Sequence, residues 1–135
     1  MGAWGHQSFE NDCALDWVGD FAEKKNKLRF LEKTFQQAIE LSEDDLDVDE
    51  GSWVLAAAEV LAALKGKAAP NLPEEIAAWV SQQSEAVSAA MTQLALRAIT
   101  VIKNPDNSEV AQLWTEGESD EWLNAVADLE ARLQA

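Results

Sequence analysis

The stretch that decides the fold of this chain is SWVLAAAEVLAALKG, residues 52–66 of 135. Between Trp53 and Leu64 the only polar side chain belongs to Glu59. A helix that is apolar on nearly all sides normally lies buried at the centre of a protein. Its alanines allow neighbouring helices to approach closely, and Gly66 is typical of the residue that ends a helix. We therefore predict a central helix here, with other helices packed around it.

Helical periodicity extends along most of the remaining chain, whereas the alternation typical of strands is almost absent. Two apolar stripes precede the central helix, and a change of pattern near Asn26 indicates either two helices or one bent helix. Residues 42–51 form an acidic connection. We predict an all-α fold in a single domain, residues 1–135, built as a compact bundle of six or seven helices. The predicted helices beyond the central one lie within residues 73–80, 90–102, 107–116 and 119–133.

The N-terminal stretch MGAWGHQSFEND, residues 1–12, places a tryptophan and a phenylalanine before the first helical stripe. We predict an irregular segment that packs on the helical core through Trp4 and Phe9. Asn11 suits the N-cap of the first helix, and Asp12 suits its first turn, where negative charge interacts favourably with the helix dipole. The alternative is an exposed arm that binds a partner.

The charge balance restricts the partners, because 25 acidic residues face 10 basic ones and the formal net charge is -15. Such a surface repels nucleic acid and anionic membranes, which are bound through Lys and Arg. No apolar run approaches the roughly 20 residues that span a bilayer. A single cysteine, Cys13, excludes an internal disulfide, and no basic and apolar leader opens the chain. We expect a cytoplasmic protein that binds neither nucleic acid nor membrane.

The acids are concentrated in two runs that contain no base. Seven of them lie within residues 40–50 and eight within residues 104–131. Dense acidic surface attracts a basic protein and speeds the encounter, although solubility alone would also favour acidic composition. The predicted partner-binding residues are Glu43, Asp44, Asp45, Asp47, Asp49, Glu50, Glu116, Glu118, Asp120 and Glu121.

Motifs that carry chemistry are missing from the sequence. It contains neither a glycine-rich phosphate loop nor a nucleophile elbow, and the acidic run departs from a calcium loop because Glu50 stands where glycine is required. His6 lies close to Glu10 and Asp12, a combination from which a metal site could be assembled. We predict no catalytic residues, no cofactor and no metal, and therefore a protein that is not an enzyme.

Three further residues are predicted to have structural roles inside the core. Glu59 needs partners if its helix is buried, because an unpaired buried carboxylate is costly. Arg97 also sits in an apolar helix, and we predict a Glu59–Arg97 ion pair; the alternative is that backbone N–H groups of an irregular segment bind Glu59. Trp17 is predicted to lie in the core with its indole N–H hydrogen-bonded.

Four segments carry a family resemblance. In order and spacing they resemble the bacterial proteins grouped as domain of unknown function 4259, whose typical opening is MGxWGxGxFxNDxAxDW. Gln7-Ser8 departs from that opening at a place where glycine is common. The resemblance covers nearly the whole chain, and it implies a small soluble domain with no known cofactor or catalytic residues. The segments are MGAWGHQSFENDCALDW (residues 1–17), VDEGSWVLAAAEVLAAL (48–64), LPEEIAAWV (72–80) and DNSEVAQLW (106–114).

These observations favour a non-enzymatic acidic binding protein. Its concrete version is an immunity-type inhibitor, a small cytoplasmic protein that neutralises a basic toxin domain, because an acidic face suits fast capture of a basic partner. One alternative is a housekeeping or structural domain, either monomeric or homodimeric. The other alternative is a small metal-dependent hydrolase that uses the region of His6, Glu10 and Asp12.

Overall fold

The computed structural model describes residues 12–40, 48–67, 72–83, 87–103 and 120–134 of the chain. Within these ranges the regular structure is entirely helical, which confirms the predicted all-α compact bundle. In chain order the helices are α1 (Asp12–Glu23), α2 (Lys27–Glu40), α3 (Val48–Leu64), α4 (Glu74–Ser81), α5 (Ala89–Lys103) and α6 (Asp120–Gln134).

Two of the predicted elements fall on residues that the structure does not describe. The predicted helix at residues 107–116 lies outside the described residues, as does the N-terminal segment with Trp4, Phe9 and Asn11. α1 begins at Asp12, the position at which the sequence predicted the first helical turn.

The central helix is confirmed. α3 contacts each of the other five described helices. Every side chain from Val54 to Ala63 is buried, and five of these ten residues are alanines. Because a methyl group takes up little space between helix axes, these alanines allow neighbours to pack closely on several sides of α3 at once. The carboxylate of Glu59 lies in the middle of this apolar helix and is buried with it.

The acidic connection before α3 is shorter than predicted. The sequence pattern indicated residues 42–51, but α3 begins at Val48. Asp49 and Glu50 therefore lie in the first helical turn, where carboxylates stabilise the partial positive charge of the unpaired backbone N–H groups. The apolar periodicity of the sequence does not indicate where α3 begins. The charges of the first turn favour this start, whereas burial of apolar side chains begins only later in the helix.

Two helix ends follow the sequence closely. The change of pattern at Asn26 is a break between two helices, because the Asn26 side chain accepts a hydrogen bond from the backbone N–H of Arg29 at 3.1 Å and so caps α2. Gly66 ends α3 with a φ of 83°. The backbone N–H groups of Gly66 and Lys67 donate to the carbonyls of Ala63 and Ala62, both at 2.9 Å, which is the Schellman arrangement.

Contacts along the helices fix their directions. The Trp17 indole Nε1 donates to Thr34 Oγ1 at 3.2 Å, and the Phe21 ring lies 6.3 Å from the Phe30 ring, so α1 and α2 form an antiparallel pair. Leu28 near the start of α2 shares a cleft with Leu64 at the end of α3. Later residues of α2 face the first turns of α3. α2 and α3 are therefore antiparallel as well.

The last two long helices complete the bundle. Met91 near the start of α5 lines the same cleft as Leu64 at the end of α3, so these two helices are antiparallel. At the end of α6, the Leu133 carbonyl accepts a hydrogen bond from Lys65 Nζ. Leu133 also shares a cleft with Thr92 in the first half of α5. α6 therefore runs antiparallel to α5 and parallel to α3.

These directions define two ends of the bundle. At the end that we call the lower end, α1, α3 and α6 begin and α2 and α5 finish. At the opposite end, the upper end, α2 and α5 begin and α1, α3 and α6 finish. The helix ends at the lower end are Asp12, Glu40, Val48, Lys103 and Asp120.

An aromatic cluster joins α1, α2 and α4. Trp17 is only 3% exposed, and its ring stacks on Phe21 and Phe30 with centroid distances of 5.1 and 5.4 Å. The edge of the Trp79 ring meets Phe21 at 5.2 Å. Thr34 accepts the Trp17 indole hydrogen bond and donates its own hydroxyl to the Phe30 carbonyl at 2.9 Å. The indole and the hydroxyl thus satisfy each other inside the core, as buried polar groups require.

The two described glycines that have room for a side chain should respond to alanine in opposite directions. Gly66→Ala places a Cβ on a left-handed residue and should lower the free energy of unfolding by about 1 kcal/mol. Gly19→Ala, in the exposed part of α1, should raise it by roughly 0.5–1 kcal/mol because glycine is a poor helix former. Urea denaturation of both variants checks this, and a Gly66→Ala protein as stable as the wild type would contradict the Schellman end of α3.

Candidate functional site

Residues from both predicted acidic runs lie in the first turns of two helices that begin toward the same end of the bundle. Asp49 and Glu50 lie in the first turn of α3, and Asp120 and Glu121 lie in the first turn of α6. The hydrogen bond between Lys65 and Leu133 joins residues 68 positions apart. Because α3 and α6 run parallel, α6 begins toward the same end of the bundle as α3, and Lys103 at the end of α5 donates to Glu130 of α6 at 3.0 Å. We call this region the acidic end.

The structure locates only part of the predicted set. Four of the ten predicted partner-binding residues are in described helices, and Glu50 is the one among them whose side chain is described; it is half-buried. The other six lie outside the described residues: Glu43, Asp44, Asp45, Asp47, Glu116 and Glu118.

Basic residues are concentrated at the upper end. Lys24 Nζ lies 5.1 Å from the centre of the Phe30 ring, and Lys27 Nζ lies 5.8 Å from that of Phe21, so both ammonium groups cover the aromatic cluster. Six of the ten basic residues lie in or next to the two connections at this end, namely Lys24, Lys25, Lys27, Arg29, Lys65 and Lys67.

A cleft of about 210 Å³ opens between the later turns of α2 and the first turns of α3. It lies in the half of the bundle that adjoins the acidic end. Buried Thr34 and Ala38 contribute from α2, together with the exposed Gln37. Half-buried Glu50 and Trp53 contribute from α3. The cleft thus combines a carboxylate, an indole and an amide in a small space.

The buried carboxylate of Glu59 is held by Arg132 of α6. Arg132 Nη1 lies 2.7 Å from Glu59 Oε1, and Nη2 lies 3.1 Å from Oε2, which is a two-pronged contact. The guanidinium also donates from Nε to Asp128 at 2.9 Å and from Nη1 to the Lys67 carbonyl at 3.1 Å. The Glu59 side chain is only 2% exposed, so this pair is largely removed from water.

Burial alone would lower the pKa of the Arg132 guanidinium, but the hydrogen bonds and charges of Glu59 and Asp128 outweigh burial and raise that pKa above its usual value. A raised pKa means that the folded protein binds the proton more tightly than the unfolded chain does. The resulting stability is fully present at neutral pH and would be lost only when the pH rises through the raised pKa. Arg132 therefore remains a cation throughout the physiological range.

The predicted pairing of Glu59 with Arg97 is wrong. α5 buries Ala95, Ala98 and Ile99 toward the core, and Arg97 lies on the exposed side of that helix. A residue two positions after a buried one points roughly 200° away around a helix. Arg132 directly precedes buried Leu133 and so reaches the edge of the apolar stripe of α6. The sequence holds no signal that ranks Arg132 above Arg97, because Arg97 likewise directly precedes a buried residue, Ala98.

The remaining predictions concern metals and membranes. No group of three or more His, Cys, Asp or Glu side chains in the described ranges is placed to hold a metal ion. His6 and Glu10 lie outside those ranges, and the side chain of Asp12 is likewise not described. None of the helices that the structure describes has the length and apolar content needed to cross a membrane.

The Glu59–Arg132 pair should dominate the response of stability to mutation. Arg132→Met leaves the buried carboxylate without its guanidinium and should lower the free energy of unfolding by roughly 3–5 kcal/mol. Arg97→Met removes the same kind of side chain from an exposed position and should change it by less than about 0.5 kcal/mol. The double variant Glu59→Leu/Arg132→Met should recover part of the loss, because both charges are gone.

Urea denaturation at neutral pH measures all three variants. Arg97→Met costing as much as Arg132→Met would contradict the pairing seen in the structure.

The pair should also be insensitive to alkaline pH. Because the pKa of Arg132 is raised, its charge and the stability that depends on it persist as the pH increases. The difference in unfolding free energy between the wild type and the double variant Glu59→Leu/Arg132→Met, which lacks both titratable groups, should stay constant between about pH 6 and pH 10. A difference that falls steadily across this range would show that the guanidinium is not the group that stabilises Glu59.

Comparison with known proteins gives one match. The model of the family described as Domain of unknown function (DUF4259) matches residues 2–125. Comparisons with curated proteins and with solved structures find no match. The matched range spans α1 to α5 and the first residues of α6, and it ends before Arg132. Because the match covers most of the chain, the protein belongs to the family of domain of unknown function 4259.

Proposed function

We propose that this protein is a non-enzymatic binding protein whose acidic end captures a basic protein. The observation that carries the proposal is the parallel arrangement of α3 and α6. Through it, the two helices that the acidic runs precede in the sequence begin toward one end of the bundle. Two runs far apart in sequence can thus act on one partner.

The charge distribution supports this function. A net charge of -15 attracts a basic partner from a distance and accelerates association. Six of the ten basic residues lie at the opposite end, so the field also orients the partner toward the acidic end. Electrostatic steering of this kind favours fast capture of a partner that carries a dense positive charge.

The concrete version of the proposal is an immunity-type inhibitor. A toxin domain that acts on nucleic acid has a basic surface, because phosphate binding requires Lys and Arg. A small acidic bundle that covers such a surface would block substrate access without any chemistry of its own. Such an inhibitor would meet its toxin in the cytoplasm.

Two variants that carry the same change of net charge test the proposal. The first neutralises four acids of the two runs (Asp45→Asn, Asp47→Asn, Glu118→Gln, Glu121→Gln). The second neutralises four acids elsewhere, on the exposed faces of α1 and α4 (Asp20→Asn, Glu23→Gln, Glu74→Gln, Glu75→Gln). Each serves as bait, beside the wild type, in affinity purification from the native organism at low and high salt.

Wild type and the second variant should capture a basic protein at low salt and release it at high salt, because screening weakens exposed charge interactions. The first variant should capture markedly less. Failure of the wild type to capture any basic protein at low salt would contradict the proposal, and so would equal capture by both variants.

A further inference from the structure

The outer face of α5 differs in charge from the other helices. Alone among the six described helices, α5 contains no acidic residue, although the chain has 25 of them. Of its two charged residues, Lys103 pairs with Glu130 at 3.0 Å. Arg97 is exposed, and its guanidinium has no ion-pair partner among the described residues. α5 therefore presents a neutral surface with one unpaired cation on a protein whose net charge is -15.

A groove of about 480 Å³ runs between this face and α2. Half-buried Met91 and Leu94 line it from α5, and half-buried Glu32 lines it from α2. Arg97 lines the same groove, but it forms no ion pair with Glu32. The Glu32 carboxylate accepts a hydrogen bond from Gln36 at 3.1 Å, which leaves most of its acceptor sites open. The groove thus carries a cation and an anion that do not pair within one protomer.

The spacing of these two charges suits a two-fold axis. α2 and α5 both begin at the upper end, and Leu28 and Met91 near their starts share a cleft. Glu32 lies about one turn beyond Leu28, and Arg97 lies nearly two turns beyond Met91, so Arg97 is the further along the bundle. A two-fold axis that crosses the groove between these two levels interchanges them. It brings Arg97 of each copy to the level of Glu32 of the other.

Charge also selects a second copy of the chain as the occupant of the groove. Two copies with a net charge of -15 repel each other over most of their surfaces, and this repulsion is weakest where α5 supplies no acid. A two-fold interface uses the same patch on both copies, so a patch that holds one cation and one anion is complementary to itself. Methionine and arginine, which this patch contains, are enriched at protein interfaces.

We propose that this groove is the interface of a homodimer, in which Arg97 of each copy binds Glu32 of the other and the two outer faces of α5 cover Met91 and Leu94. The two ion pairs set the register of the dimer. The proposal is independent of the proposed function, because the groove lies along the first half of α5, whereas the first turns of α3 and α6 lie toward the opposite end of the bundle.

Analytical ultracentrifugation of the full chain tests the dimer. Concentrations from about 1 to about 200 µM cover the range in which weak dimers dissociate. Salt at roughly 0.15 M screens the repulsion between distant acids more than it weakens charges in contact. A reducing agent prevents a disulfide between the Cys13 residues of two copies. The average mass of the wild type should rise with concentration toward that of a dimer.

Charge reversals identify the interface. Arg97→Glu and Glu32→Arg each place like charges opposite each other at two points of a two-fold dimer, so each should weaken dimerisation at least about tenfold. The double variant Arg97→Glu/Glu32→Arg restores opposite charges and should dimerise within about threefold of the wild type. Lys25→Glu and Glu23→Arg make the same changes of net charge at exposed positions outside the groove, and both should dimerise as the wild type does.

A wild type that stays monomeric over the whole concentration range would overturn the proposal. A dimer that both single reversals leave intact would place the interface on another face, and failure of the double variant to recover would show that the two residues do not pair; either result overturns the proposal as well. Circular dichroism should show equal helix content in all variants. Arg97→Glu should still capture the basic protein in the affinity purification, which distinguishes loss of the dimer from failure of the proposed function.

Discussion

The bundle depends on the burial of one carboxylate in the middle of its central helix. Glu59 is surrounded by apolar residues of α3, and a charge in such a place is tolerated only when another group pairs with it and satisfies its oxygens. Arg132 does so with both prongs of its guanidinium. This requirement sets where α6 lies, since its last turns must bring a guanidinium to the middle of α3.

The same contact links the ends of α3 and α6. Arg132 donates to the Lys67 carbonyl just beyond α3, and Lys65, just beyond α3, donates to the Leu133 carbonyl in α6. Each helix thus supplies a cation to the carbonyl end of the other, where the helix dipole favours positive charge. With their last turns joined, the two parallel helices begin toward the same end of the bundle. A structural ion pair near the last turns of α3 and α6 therefore fixes their common direction.

Local features of the fold could be read from the sequence. The apolar run from Trp53 to Leu64 predicted the central helix, and Asn26 and Gly66 marked helix ends, because capping and backbone conformation depend on nearby residues. The arginine that pairs with the Glu59 carboxylate could not be predicted from local sequence. Which arginine reaches it depends on the rotation of each helix and on which helix lies beside α3, and these are properties of the packed bundle.

The candidate site likewise has one feature that the sequence predicts and one that only the packed structure reveals. Composition and position along the chain identified the acidic runs, but only the packed structure shows that α3 and α6, which follow them, begin toward the same end of the bundle.

The direction of α6 is the central claim, and a distance measurement tests it most directly. Spin labels can be attached at the exposed positions Ala131 of α6 and Arg29 or Glu40 of α2, with Cys13 replaced by alanine. Because α6 ends at the upper end, where α2 begins, the distance from Ala131 to Arg29 should be shorter than the distance from Ala131 to Glu40. The reverse order would place the start of α6 at the upper end and would separate the two acidic runs.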